Sequence, residues 1–194
     1  MKIDQYKIDQ HNDSLLSRHN NQFSFLNEQL GEQGIDANEV ISALGAFQVA
    51  IPSWALGTGG TRFGRFSGGG EPRSLEEKVE DVGLLHALNR SSGSISLHIP
   101  WDIPQQAEFI ISLASSLDLT FDAVNSNTFQ DQKDQQHSYK FGSLSHVDPA
   151  VRKQAVEHNI EVIKYGKDLG SKALSIWLSD GSCFPGQSNF VKAF

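Results

Sequence analysis

A chain of 194 residues, 38% of them hydrophobic, can bury one substantial core, so one domain or a piece of a larger one is expected. The formal charge of -7 argues against a nucleic-acid surface, and the lone Cys183 excludes an internal disulfide and a thiolate zinc site. Polar residues follow Met1-Lys-Ile-Asp-Gln-Tyr6, and no apolar run reaches bilayer length, so the expectation is a soluble cytoplasmic protein with neither nucleic-acid nor membrane partners.

The segment up to about Leu30 is rich in Asp, Asn, Gln and His and reads as a peripheral helical arm, set off by Gly31 and Gly34. Asp36 is placed to cap a second helix whose inner face would carry Val40, Ile41 and Leu44. His11 and His19 lack carboxylate or cysteine partners at ligand spacing, which favours surface residence over metal binding.

Ala46-Phe-Gln-Val-Ala-Ile-Pro52 reads as the first strand, stopped by its proline, with Trp54 just beyond. The glycine-dense stretch from Gly57 to Gly70 has neither dinucleotide nor P-loop spacing. It is read as a mobile lid carrying Arg62, Phe63 and Phe66, with a flexible surface loop as the plainer alternative. Ser74-Leu-Glu-Glu77 is a capping box opening a helix to about Asn89, with Leu75, Val79, Val82, Leu85 and Leu88 inward.

Ser94-Ile-Ser-Leu-His-Ile-Pro-Trp-Asp102 organises the rest. Ile95, Leu97 and Ile99 alternate at strand period, and Pro100 ends the pairing, so His98, Trp101 and Asp102 should emerge together at the strand's carboxyl end. In parallel α/β folds ligands sit there. Imidazole moves protons near neutral pH, an indole face covers apolar C–H, and a carboxylate accepts from hydroxyls, a combination that suits a sugar. A buried histidine satisfied by a backbone carbonyl is the competing reading.

A helix should start at Ile103-Pro104 with Ala107, Ile110, Ile111, Ala114 and Leu117 inward. Leu119 to Val124 makes a third strand, followed by Asn125-Ser-Asn-Thr-Phe129, whose amides either form a turn or bind hydroxyls. The polar segment from Gln130 to Ser145 is long for a plain connection, and His137 and His146 are no metal signature by themselves. Asp148-Pro149 caps the longest helix, with Ala155, Ile160, Ile163 and Leu169 on its stripe and His158 as a surface or packing residue. Ala173 to Leu178 is the fourth strand, with Trp177 near its end and Asp180 beyond.

Four strands alternating with helices imply an α/β fold with a parallel sheet. Because no helix follows to cover the last strand, half of an eight-stranded (β/α)8 TIM barrel is favoured over a complete flavodoxin-like domain. The expected organisation is an N-terminal helical arm over residues 1–45 and the amino-terminal half of a barrel over residues 46–194.

Five motifs, Val49 to Phe63, Ser96 to Asp102, Phe121 to Phe129, His137 to His146 and Asp180 to Phe190, together resemble the bacterial L-rhamnose isomerases, in particular their broad-specificity branch. The resemblance implies a homotetrameric barrel that interconverts an aldose and a ketose with two divalent ions, commonly manganese, acting as Lewis acids on a monosaccharide substrate. It implies that His98 meets the ring-oxygen region and helps open the sugar. Trp54 and Trp177 would form apolar walls, Trp101 would support His98, and Phe63 would enter a neighbouring subunit's site. The family's metal ligands fall beyond the last residue, so no metal ligand is assigned here and Asp180 is not taken as one. The chain thus reads as an amino-terminal half, and a non-catalytic half-barrel without isomerase activity is the alternative.

Overall fold

Short polar side chains start most of the helices of the computed structural model, which describes residues 4–57, 69–179, 181 and 191. Asp4 opens α1 (Gln5–Glu32), Asp36 opens α2 (Ala37–Ala46), Ser74 opens α3 (Leu75–Asn89) and Asp148 opens α5 (Pro149–Asp168), each accepting from a backbone N–H in the first turn. In the Ser74 box the Glu77 carboxylate reaches back one residue further than expected, to the Arg73 N–H. α4 (Ala107–Ser116) has no side-chain cap and begins three residues beyond Pro104, later than the sequence suggests.

The strands are short and parallel: β1 (Ala50–Pro52), β2 (Ser94–Ser96), β3 (His98–Ile99), β4 (Thr120–Phe121), β5 (Val124–Thr128) and β6 (Leu174–Leu178). They form two three-stranded sheets, β1-β2-β4 and β3-β5-β6. β2 with β3, and β4 with β5, are successive parts of two tracts, so four parallel tracts stand side by side in chain order. Among the described strands the order never reverses, as a doubly wound sheet would require, and β1 and β6 each pair along one edge. A parallel α/β architecture is therefore present, without closure into a barrel among the described residues.

Alternation decides what faces the helices. Ile95, Leu97 and Ile99 are fully buried, and Ile95 and Leu97 pack with Leu75, Val79, Val82, Ile110, Ala114, Leu119 and Leu169. Each such valine, leucine or isoleucine contributes roughly 1.5–3 kcal/mol. Ile99 joins Val124 and Val162 in a second cluster. Ser96 and His98 belong to the opposite face, which is the one that builds the site.

Several inward faces differ from the sequence reading. Val40, Ile41 and Leu44 of α2 are exposed, and only Ala37 is buried there. Because α2 continues to Ala46, the first strand starts at Ala50 rather than Ala46, leaving Phe47 exposed. Leu85 and Leu88 are likewise exposed at the far end of α3. On α5 the buried stripe is Val151, Ala155, Asn159, Val162 and Gly166, with Ile160 and Ile163 outside it. Its position is set by Gly166: a Cβ there would lie 2.8 Å from Val124 Cγ2, so the helix approaches β5 more closely than a larger residue permits.

The third strand is also longer and more polar than expected. Asn125 to Thr128, read as a turn, continue as β5, and all five of its residues are buried. Two of their side chains find partners inside: Asn125 Nδ2 donates to the Leu97 carbonyl, and Thr128 Oγ1 to the Trp177 carbonyl at 2.6 Å. The long connection after it is organised by Asp131, which accepts from Tyr139 N and Ser138 Oγ at 2.6 Å each, and Tyr139 packs on Val151 and Ala155.

Candidate functional site

At the carboxyl ends of the tracts an aromatic enclosure forms around His98. Trp101, two residues beyond β3, stacks on the imidazole with ring centroids 4.1 Å apart and planes 15° from parallel. Trp54, in the 3-10 turn Ser53–Ala55 that follows β1, meets the same ring edge-on at 5.3 Å. Trp177 of β6 lies 6.1 Å from His98 and 6.2 Å from Trp54. The four residues singled out along the chain, carried by the ends of three of the four tracts and their loops, are thus brought together. Phe129 completes the ring at 6.1 Å from His98 and 5.8 Å from Trp177.

In the sequence Phe129 stands at the end of the polar stretch Asn125-Ser-Asn-Thr-Phe129. Its position directly after a strand, like that of the tryptophans, was the available signal. Register explains the rest of the wall. Asn125 stands opposite His98 on one side and Ser175 on the other, and its Oδ1 accepts from Trp177 Nε1 at 3.0 Å, fixing that indole's orientation. Phe63, Asp180 and Cys183 lie outside the described residues.

His98 is 2% exposed, yet among the described residues neither Nδ1 nor Nε2 has a hydrogen-bond partner. That departs from the competing expectation of a histidine satisfied by a carbonyl. Burial pushes its pKa down from 6.5 to about 4; the Asp102 carboxylate pulls upward, and His158 and Lys78 push further down. The imidazole is therefore neutral at pH 7, with one nitrogen as donor and the other as acceptor.

Asp102 does not face the ring as a partner. Its Oδ2 accepts from Ser53 Oγ at 2.5 Å and from the His98 backbone N–H at 3.0 Å, while Oδ1 pairs with Lys78 Nζ at 2.5 Å. Nothing in the hydrophobic pattern of α3 demands a lysine there. The visible signal was a charged residue between Leu75 and Val82 on the inward face. Behind the sheet, His158 of α5 packs on β5: its Nε2 accepts from Asn127 N at 3.2 Å, and burial lowers its pKa. His146 Nδ1 accepts from Asp148 N at the start of α5.

The chemistry available is that of an apolar, indole-lined enclosure with a neutral bifunctional base and spare polar capacity. Asn127 Nδ2, on the neighbouring β5, is also buried without a partner among the described residues. Among the described residues no three His, Cys, Asp or Glu side chains gather into a group that could hold a metal ion. No helix among them is long and apolar enough to cross a membrane.

No protein-family model matches the chain. It is similar to a protein of Rhizobium meliloti named "Probable sugar isomerase", 53% identical over 172 residues that make up 89% of this chain and 40% of that protein. A protein of Mesorhizobium japonicum with the same descriptive name is 52% identical over 172 residues, again 89% of this chain and 40% of the relative. The chain spans about two fifths of the length of these curated relatives.

Proposed function

We propose that this chain forms the sugar-enclosing wall of an aldose-ketose isomerase acting on a monosaccharide such as L-rhamnose, with four tracts of a (β/α)8 barrel. The observation that carries the reading is His98, buried with both nitrogens free, inside a ring of Trp54, Trp101, Phe129 and Trp177. The names of the two relatives support the same reading.

Indole faces cover the C–H surfaces of a pyranose, and the neutral imidazole can accept a hydroxyl proton at one nitrogen while donating at the other, as ring opening requires. Trp177, held by Asn125, and Trp54, whose ring stands at 83° to it, set two walls of the enclosure. Phe63 is assigned to the site of a neighbouring copy in a homotetramer, as part of the same proposal. A cytoplasmic location belongs to it as well.

Manganese or another divalent ion would supply carbonyl polarisation in such a reaction. The described residues do not fit that ion: they gather no ligand group, and Asp102 is engaged by Lys78, Ser53 and the His98 backbone. The ligands of that ion are therefore proposed to lie outside these residues.

The test is conversion of L-rhamnose to L-rhamnulose with manganese, measured for the 194-residue chain and for the chain joined to the part of the Rhizobium meliloti relative outside the match. Isomerisation by the joined protein is expected; absence of conversion in both defeats the proposal. The second reading, a half-barrel without isomerase activity, is favoured by the two-fifths coverage of the relatives and predicts sugar binding with no turnover in either. His98→Gln in the joined protein should lower kcat about a hundredfold with KM little changed. General acid-base groups supply about 10²–10⁴, and a base whose pKa lies well below the working pH belongs at the lower end. An unchanged kcat removes His98 from the chemistry.

A further inference from the structure

Lys78 stands on the inward face of α3 among Leu75, Val79 and Val82, and is 3% exposed. An ammonium in that position is unfavourable unless paired, and its partner Asp102 is equally buried. The carboxylate then joins three separate pieces of chain. It accepts from Lys78 on α3, from Ser53 immediately before Trp54, and from the backbone N–H of His98. Asp102 N donates in return to the His98 carbonyl at 3.0 Å, so the turn bearing Trp101 is closed from both ends.

We propose that Lys78 is a positioning residue for the His98 site: by engaging Asp102 it fixes the segments that carry Trp54, His98 and Trp101, and keeps the carboxylate from pairing with the imidazole. Asp102 is close enough to His98 to act on it electrostatically, and an unengaged carboxylate there would turn toward the ring as an ion-pair partner. With Lys78 in place the charge of Asp102 is answered elsewhere. Both ring nitrogens stay free for a ligand, which in the sugar reading above is a hydroxyl and the ring oxygen. Only that purpose rests on the sugar reading; the contacts are independent of it.

Among the described residues the charged and titratable groups that act on the ring are Asp102 from its own loop, Lys78 from α3 and His158 from α5. Removing the first or the second shifts the ring in opposite directions, which makes the arrangement measurable without turnover. His98 is titrated by nuclear magnetic resonance in the 194-residue chain, its signals assigned by their loss in His98→Gln. In Lys78→Met the midpoint should rise by about one unit or more, because the nearby carboxylate is no longer balanced. In Lys78→Met/Asp102→Asn it should return to the low value, because the carboxylate charge is gone as well.

That reversal separates positioning through Asp102 from a general structural role, which would disturb the single and double variants alike. A low midpoint in Lys78→Met, or equal shifts in both variants, overturns the proposal. Should Lys78→Met fail to fold, Lys78→Gln, which keeps a hydrogen-bond donor without the charge, is held to the same two outcomes. A separate titration with L-rhamnose followed by tryptophan fluorescence tests the sugar reading: no response there with the midpoint pattern intact rejects the sugar and keeps the role of Lys78.

Discussion

Asp102→Ala is expected to lower the unfolding free energy by about 3–5 kcal/mol, the cost of breaking a buried ion pair by removing one member. The magnitude follows from what is left behind. Lys78 Nζ would remain on a helix face that is otherwise leucine and valine, with its charge unanswered. Ser53 Oγ and the His98 N–H would lose their shared acceptor at the same time. Asp102→Asn keeps an acceptor for those two donors and should cost less than the alanine change. The surface pair Lys153–Glu157 gives the contrast: its side chains are 75% and 62% exposed at 3.6 Å, and Lys153→Ala should change stability by no more than about 0.5 kcal/mol. Urea unfolding of the three variants checks the order. An Asp102→Ala chain as stable as the parent would mean that the ammonium finds water or another anion, and the pair would then have no claim to hold the site.

How far the sequence could foresee this site depends on which force placed each residue. The strand through Ile95, Leu97 and Ile99 was legible because alternation and burial act on the same residues, and His98 followed from its parity with them. Trp54, Trp101 and Trp177 were legible for a related reason: each sits within a few residues of a strand's end, and parallel tracts bring those ends to one edge. β5 was not legible. Asn and Ser disfavour strands when judged alone, but here Asn125 bonds the Leu97 carbonyl and the Trp177 indole, so tertiary partners override local preference.

The helices divide in the same way. Capping residues act locally, and Asp36, Ser74 and Asp148 announce their helices in the chain. Which face of α5 turns inward is decided by close packing of Gly166 on Val124, a contact between residues 42 positions apart that periodicity cannot reveal. Ile160 and Ile163 look like core residues in one dimension and flank it in three. Lys78 is the instructive case. A charge on an apolar stripe contradicts the pattern around it, and such a contradiction is where a partner should be sought.

The folded chain should also become less stable as the pH falls from about 6.5 toward 4, and His98 should account for up to about 3.5 kcal/mol of that loss. The folded-state pKa lies below the ordinary value, so between the two values the unfolded chain binds a proton that the native chain does not. Stability is then fully present above 6.5, declines as the pH drops through the window, and levels off below about 4 once both states are protonated. The size follows from the fall from 6.5 to about 4, at about 1.4 kcal/mol per pH step of one. Among the described residues, protonation would place a cation between Trp54, Trp101, Phe129 and Trp177 with no hydrogen-bond acceptor on either nitrogen, and the carboxylate that acts on the ring, Asp102, is already bound to Lys78. Stacking on an indole offers an imidazolium some compensation, about 0.5–2 kcal/mol, which is smaller than the desolvation it opposes. His98→Phe keeps a planar ring in the enclosure and removes the proton site, so its stability should be flatter across the same window. Urea unfolding of both proteins at several pH values isolates the difference, since every other titrating group is common to them. Parallel curves would show that His98 takes up its proton as readily in the native chain as in the unfolded one, and that the enclosure is wetter than its burial implies.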